Sequence, residues 1–308
     1  MHRPHGTYSI VALDPGTGEL GAAVQSHWFS VGSLCTWARP GIGAVATQSV
    51  VAPGHGPHAL DRLAGGDDAP AALAGVLAPD ALASVRQVGV VDASGGVAVH
   101  TGASCIPEAG DAAGGHWTCQ ANMMARATVP AAMSTAFAEA GGDLAARLLA
   151  ALRAAEAEGG DVRGRQSAAL LVVPAAGEPW QARLDLRVED HADPVAELGR
   201  LLALQRAYEL AGEADELMGE GRADEAAAAY LRASELAPGS DELLFWAGLA
   251  IAQRGDVAAG ADAVRRAAEV HPGWLTLLER LSPDFAPAGR AVLHEIRGYE
   301  IRGYEIRG

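Results

Sequence analysis

Along the first 200 residues, apolar positions come in short bursts, each bounded by glycine, proline or aspartate. Residues 7–14 (TYSIVALD) and 19–26 (ELGAAVQS) flank the turn cluster PGTG, whose glycines can take positive φ, and this predicts a hairpin. SLCTW and IGAVATQSV (42–50) continue the strand character, broken at RPG. From His58 to Ala78 the period becomes helical, interrupted at GGDDAP, where Asp68 can cap a helix opening at Pro70. QVGVVDASGGVAVHTG (87–102) predicts a second hairpin turning at ASGG. TVPAAMSTAFAEA and GDLAARLLAALRAAEAEGG predict consecutive helices separated by Gly141 and Gly142, with Asp143 as the cap of the second. QSAALLVVP and EPWQARLDLRV form a further strand pair.

Strands thus follow strands and helices follow helices, which is not the alternation of a βαβ fold. The pattern predicts an α+β architecture, a four-layer sandwich of two antiparallel sheets with a helix pair on each outer face.

From about Asp193 the chain turns to Ala, Glu and Leu, with almost no strand signal. ASELAPGS and AAEVHPGW place Pro238 and Pro272 apart by 272 − 238 = 34, and Gly221 and Gly255 are again 34 apart. That is the tetratricopeptide period. Ala226, Tyr230 and Ala233 are the packing positions of the first copy, and Gly248, Val264 and Ala267 those of the second. Gly260, standing where Ala is usual, is expected to weaken the second copy. Two repeats need support from neighbouring helices, for which 194–206 and 274–281 are the candidates. The chain ends HEIRGYEIRGYEIRG, a five-residue unit repeated three times at 294–308. The expected organisation is a leader at 1–6, an αββα domain at 7–206, a helical domain at 207–293 and the pentapeptide tail at 294–308.

Charge and composition narrow the function classes. The 308 residues are 49% hydrophobic, enough for a core, and no apolar run suggests a membrane span or signal peptide, so a cytoplasmic protein is the expectation. A net charge of −15 argues against nucleic acid as partner. There is no lysine, so a fixed cation in a site must be Arg or a protonated amine. Cys35, Cys105 and Cys119 lack metal or disulfide spacing. Neither metal nor organic cofactor is expected.

The candidate chemistry lies at Thr7. A threonine hydroxyl needs an adjacent base, and a free α-amine of reference pKa about 7.7–8.0 supplies one if the residue heads the chain. Cleavage between Gly6 and Thr7 would create that amine. The competing reading is an ordinary strand opening on Thr after a six-residue leader. Ser9 shares the face of Thr7 by strand alternation and is a possible second hydroxyl in the site.

TYSIVALDPGTGELGAAVQS, WARPGIGAVATQ, HTGASCIPEAG, QANMM, GGDVRGRQSAALLVV and DLRVEDHADPVAELGRLLAL together resemble the domain of unknown function 1028 over about 7–206. That family resembles the N-terminal-nucleophile (Ntn) hydrolases. In the family the motif corresponding to TYSIVA usually follows the initiator Met directly; here six residues precede it. The resemblance implies Thr7 as nucleophile and Arg39, 32 residues on, as the nearby cation. It implies Gln48 and Asn122 as amides able to donate to an oxyanion. It further implies Ser26 and His27 beside the nucleophile at the end of the second strand. The loop GGDVRGRQSA offers Asp161, Arg163, Arg165, Gln166 and Ser167, either to bind a substrate carboxylate through Arg or to form a structural ion pair through Asp161.

The expected activity is hydrolysis of a small amide or peptide-like bond through an acyl-threonine intermediate. The alternative is a non-catalytic protein of the same fold that assembles through its helical repeats. A homo-oligomer, or a protein partner on those repeats, is expected in either case.

Overall fold

The computed structural model describes the backbone of residues 6–305, so leader residues 1–5 and the last three residues of the tail lie outside the described residues. The chain divides into two units, 1–200 and 201–308.

The first unit contains β1 (Thr7–Leu13), β2 (Leu20–Ser26), α1 (Gly32–Cys35), β3 (Thr36–Arg39), β4 (Gly43–Ser49), α2 (His55–Ala64), α3 (Ala69–Leu77), β5 (Arg86–Asp92), β6 (Val97–Thr101), β7 (Gly110–Ala113), β8 (Trp117–Asn122), α4 (Val129–Glu139), α5 (Leu144–Ala157), β9 (Ser167–Val173) and β10 (Leu184–Val188). The two predicted hairpins form as β1–β2 and β5–β6, and the further strand pair joins as β9–β10, all antiparallel. Gly18 and Gly95 adopt φ of 75° and 90° in the first two turns, a region that a Cβ would strain. Asp68 and Asp143 cap α3 and α5, accepting from Ala71 N at 2.8 Å and Ala146 N at 2.9 Å.

Two segments depart from expectation. SLCTW opens as the helical turn α1, because Thr36 Oγ1 donates back to the Gly32 carbonyl at 2.9 Å and Gly32 lies close against Ala169. The strands β7 and β8 carry little β-branched character and were not predicted. They form because pairing supplies what propensity does not: β8 is held between β1 and β7.

The strands make a six-stranded sheet, β10-β9-β2-β1-β8-β7, and a four-stranded sheet, β3-β4-β5-β6. The fold is therefore mixed α/β, with two antiparallel sheets. α4 and α5 lie on the larger sheet, α2 and α3 on the smaller, and β1 faces β4 and β5 across the gap. Strand alternation sends Tyr8, Ile10 and Ala12 toward the helices and Thr7, Ser9, Val11 and Leu13 into the gap. At one end of the gap Val11, Leu13, Ala22, Ala44, Ala46 and Val91 make an apolar core. At the other end the buried residues are polar.

In the second unit the chain is helical: α6 (Pro194–Gly219, which spans the division), α7 (Ala223–Leu236), α8 (Asp241–Gln253), α9 (Val257–Val270), α10 (Gly273–Arg280) and α11 (Gly289–Glu305). No described helix is long and apolar enough to cross a membrane. Gly221 and Gly255 precede α7 and α9 with φ of 77° and 107°. Alanines of α6, α7 and α8 form one core around Tyr230, and Phe245 stacks on Trp274 at 4.9 Å in the next.

Gly260 does not have the role expected of it. A Cβ on Gly260 would lie 2.5 Å from the Gly248 carbonyl oxygen, and one on Gly248 would lie 2.8 Å from the Gly260 carbonyl oxygen. The backbones of α8 and α9 touch here, so this close crossing needs glycine despite its poor helix propensity. Gly260→Ala should therefore destabilise the helical unit by about 1–3 kcal/mol, the usual cost of overpacking, although alanine is the better helix former. Denaturant unfolding checks this; a neutral or stabilising outcome would mean that the helices can separate freely.

Candidate functional site

The polar end of the gap is assembled by register. Thr7 pairs with Ser26 on one side and Asn122 on the other, and Ser26 pairs with Ser167, so four adjacent strands end in one row of polar side chains. One step inward, Ser9 pairs with Gln120. Gln48 and Gln87 pair with each other on the facing sheet. All eight are fully buried. Ser49 and Met123, directly after Gln48 and Asn122, have φ of 71° and 59°. The two strands therefore stop in the left-handed region just past the amides they present, a strained arrangement for non-glycine residues.

At the centre, Thr7 Oγ1 donates to Ser26 Oγ at 3.1 Å, and Ser26 Oγ donates to the Gly6 carbonyl oxygen at 2.5 Å. Arg163 Nη2 donates to the same carbonyl at 2.8 Å. Arg163 is held by a two-pronged ion pair with Asp161, at 3.1 and 2.7 Å. Asp161 in turn accepts from the backbone N–H groups of Arg163 at 2.9 Å and His27 at 3.2 Å. The Asp161 side chain is wholly buried and that of Arg163 is 26% exposed, so the guanidinium is where the carbonyl comes nearest solvent. A Cβ on Gly6 would sit 2.8 Å from Asp161 Oδ2 and 2.9 Å from Arg163 Nη2, so the ion pair packs closely against Gly6 and any larger residue would push it aside.

Behind Thr7 the amides satisfy one another. Gln48 Nε2 donates to the Thr7 carbonyl at 3.1 Å and to Gln87 Oε1 at 2.8 Å. Asn122 Nδ2 reaches Gln87 Oε1 at 3.0 Å and the Thr7 carbonyl at 3.5 Å. Ser9 Oγ donates to Gln48 Oε1 at 2.6 Å and accepts from Gln120 Nε2 at 2.7 Å. Gln87 Nε2 serves the Ala121 carbonyl at 2.9 Å and the Gly110 carbonyl at 3.1 Å. Asn122 Oδ1 is buried without a hydrogen-bond partner among the described residues. On the helix side of β1, Tyr8 Oη donates to Glu156, which also pairs with Arg165 at 2.8 Å. Burial first, and then the adjacent Glu156 charge, hold the Tyr8 hydroxyl well above its ordinary pKa, so it stays a donor.

Of the residues expected in a site, Thr7, Ser9, Ser26, Gln48, Asn122, Asp161 and Arg163 come together. Gln48 and Asn122 donate to the carbonyl after the Thr7 hydroxyl, whereas the donors on the carbonyl before it are Ser26 and Arg163. Arg39 pairs with Asp61 at 2.9 Å and sits opposite Gly43, five residues along β4 from Gln48 and so about 17 Å away. The nearby cation is Arg163, in the ion pair with Asp161. Ser167 turns from the row to donate to the Trp28 carbonyl at 2.5 Å and to accept from Val31 N at 3.1 Å. Gln166 donates to Asp190 at 3.1 Å, and the His27 ring is exposed beside the Arg165 carbonyl. Burial pushes the Cys35 thiol up to about 12, so it offers no thiolate near neutrality. Sequence reasoning missed Gln87 and Gln120. Their signal was a glutamine inside a strand otherwise made for burial, RQVGVV and WTCQAN.

Because Gln87 accepts from both Gln48 and Asn122 and donates to two backbone carbonyls, Gln87→Leu should leave buried donors and carbonyls unpaired. It should lower the unfolding free energy by about 2–4 kcal/mol. Chemical denaturation measures this, and a loss under about 0.5 kcal/mol would show that the amides re-pair without it.

A family model described as "Family of unknown function (DUF1028)" matches residues 7–198. A crystal structure of a Silicibacter pomeroyi protein, described with the same family model, is similar at 30% identity and a TM-score of 0.58. The similarity covers 64% of this chain and 84% of that one. None of the curated proteins matches the chain.

Proposed function

The chain belongs to the family of unknown function DUF1028, and from that premise we propose that it is an N-terminal-nucleophile amidohydrolase acting through Thr7. The observation that carries this reading is the Gly6 carbonyl, which receives both the Ser26 hydroxyl and the Arg163 guanidinium while the Thr7 hydroxyl is bonded to that same Ser26. Those are the donors that an attack by Thr7 Oγ1 on the Gly6 carbonyl carbon requires, since charge developing on the carbonyl oxygen is met by two fixed donors, one of them cationic.

In the proposed maturation the Thr7 hydroxyl oxygen bonds to the Gly6 carbonyl carbon, and its proton passes to the Thr7 nitrogen. The Gly6–Thr7 C–N bond breaks, leaving an ester on Oγ1 and a free α-amine. Water hydrolyses the ester, releases the leader as a carboxylate and restores the hydroxyl. The freed amine then serves as the base for each later turnover. A small amide enters where Gly6 lay, and its acyl group passes to Thr7 Oγ1 while its amine leaves with the hydroxyl proton relayed by the Thr7 α-amine. Water then hydrolyses the ester to a carboxylate and restores the hydroxyl, Ser26 and Arg163 stabilising the oxyanion in both steps. Gln48 and Asn122 hold the Thr7 carbonyl and so fix the nucleophile's backbone. Asn122 Oδ1, which has no hydrogen-bond partner among the described residues, is available to accept from the new amine.

The layering supports the same reading. A helix pair, two facing antiparallel sheets and a second helix pair suit the αββα arrangement of Ntn hydrolases. The helices after it fit a tetratricopeptide-like pairing, since α7 and α9 start at 223 and 257 and 257 − 223 = 34.

Intact mass and N-terminal sequencing of purified protein test the proposal. The wild type should begin at Thr7, and Thr7→Ala should keep Gly6 and the residues before it. Ser26→Ala should slow processing by about a hundredfold, the usual effect of losing one oxyanion donor. A wild type that keeps its leader indefinitely, or a Thr7→Ala protein that loses it, sinks the mechanism.

A further inference from the structure

The helical unit contains a cleft of about 850 Å³ that the chemistry at Thr7 does not use. One wall is the face of α6 from Tyr208 through Gly212 and Asp215 to Gly219, which recurs every three or four residues and runs about 16 Å along the helix. Glu242 and Trp246 of α8 line a second wall, Tyr230 of α7 joins them, and the loop residues Asp284 and Phe285 form the rim.

Three features of this lining point the same way. It carries three carboxylates, Asp215, Glu242 and Asp284, and no arginine, in a chain that has no lysine. Tyr208 Oη donates to Glu242 at 2.6 Å and Tyr230 Oη donates to Asp215, so the tyrosines orient two of the carboxylates. Hydrogen bonding to Glu242 and burial raise the Tyr208 pKa, while burial first and then Asp215 raise that of Tyr230. Asp284 makes no hydrogen bond or ion pair among the described residues, and it stands beside Phe285, which is 70% exposed. Aromatic faces next to fixed anions suit a cation with an apolar stem, through cation–π attraction and charge pairing together.

The α6 wall sets the shape of the ligand. Gly212 lies inside α6, where glycine costs about 1 kcal/mol relative to alanine, and a Cβ there would meet nothing within 4 Å. The space beside that wall is left open. A wall about 16 Å long matches some five residues of extended chain at about 3.3 Å each.

We infer that this cleft binds an extended segment of a partner protein whose central arginine sits among Asp215, Glu242 and Asp284, with apolar neighbours against Trp246 and Phe285. The inference does not depend on the chemistry at Thr7. The charge complementarity selects the occupant: an acidic segment would bring like charges together, and a purely apolar one would leave three anions unpaired.

Calorimetric titration of the full-length protein tests it, with the capped pentapeptide Ala-Leu-Arg-Leu-Ala as probe. The arginine peptide should bind with micromolar affinity, and a glutamine in place of its arginine should weaken binding at least tenfold. Free arginine amide should bind at least tenfold more weakly than the peptide. Asp284→Asn and Phe285→Ala, both at exposed positions, should each weaken binding about fivefold with the melting temperature unchanged. Gly212→Leu should fill the space along the α6 wall and abolish binding while leaving the helical unit as stable as before or more so. Equal affinity for the arginine and glutamine peptides overturns the inference. So does undiminished binding by Gly212→Leu, arginine amide binding as tightly as the peptide, or no binding of the arginine peptide at millimolar concentration.

Discussion

A buried amide must find partners, and in this protein three glutamines and an asparagine find one another across the gap between two sheets. Gln48 and Gln87 come from the smaller sheet, Gln120 and Asn122 from the larger, and the Thr7 carbonyl lies among them. Partly satisfied networks of this kind cost more than an apolar core would. Pairing within the larger sheet brings Thr7, Ser26 and Asn122 level, and the amides that cross the gap then hold the Thr7 carbonyl from the facing sheet.

The first sheet-and-helix unit was largely legible because its signals are local. A glycine able to take positive φ between two alternating runs is enough to read β1–β2 or β5–β6, and Asp68 and Asp143 announce their helices by capping chemistry. β7 and β8 were not legible, because GDAA and WTCQAN owe their strand state to neighbours distant in sequence. The candidate site divides on the same line. Thr7 and Ser9 could be assigned to one face from alternation alone. That Arg163 and not Arg39 would be the cation beside Thr7 depends on which loop returns to β1, a tertiary fact. Gly260 makes the same point in the helices, where a residue that is poor by propensity is required by a crossing that only the folded chain reveals.

The ion pair of Asp161 and Arg163 ties the loop to the sheet. Asp161 spends its oxygens on two backbone N–H groups as well as on Arg163, which explains how a carboxylate can be wholly buried here without isolation. Buried ion pairs of this kind seldom add much net stability, since desolvation offsets most of the attraction. Positioning is the better account of this one. It fixes the guanidinium over the Gly6 carbonyl and, with Glu156 and Arg165 anchoring the other end of the loop to α5, leaves Arg163 no freedom to turn outward.

In the proposed mechanism, that placement closes the site around an amide that is its own first substrate. With Gly6 in place, Thr7 is entirely buried, with Ser26 and Arg163 donating to the Gly6 carbonyl and Gln48 and Asn122 to the Thr7 carbonyl. In the proposed mechanism, loss of the Gly6–Thr7 bond frees two of those donors, Ser26 and Arg163, at one stroke, and leaves the amide network behind Thr7 untouched. The part of the site that binds would thus be made by the cleavage, while the part that positions is already built by the fold. A reaction that has to work once on its own chain and then repeatedly on other amides needs that separation. The geometry provides it by placing the two sets of donors on opposite sides of a single residue.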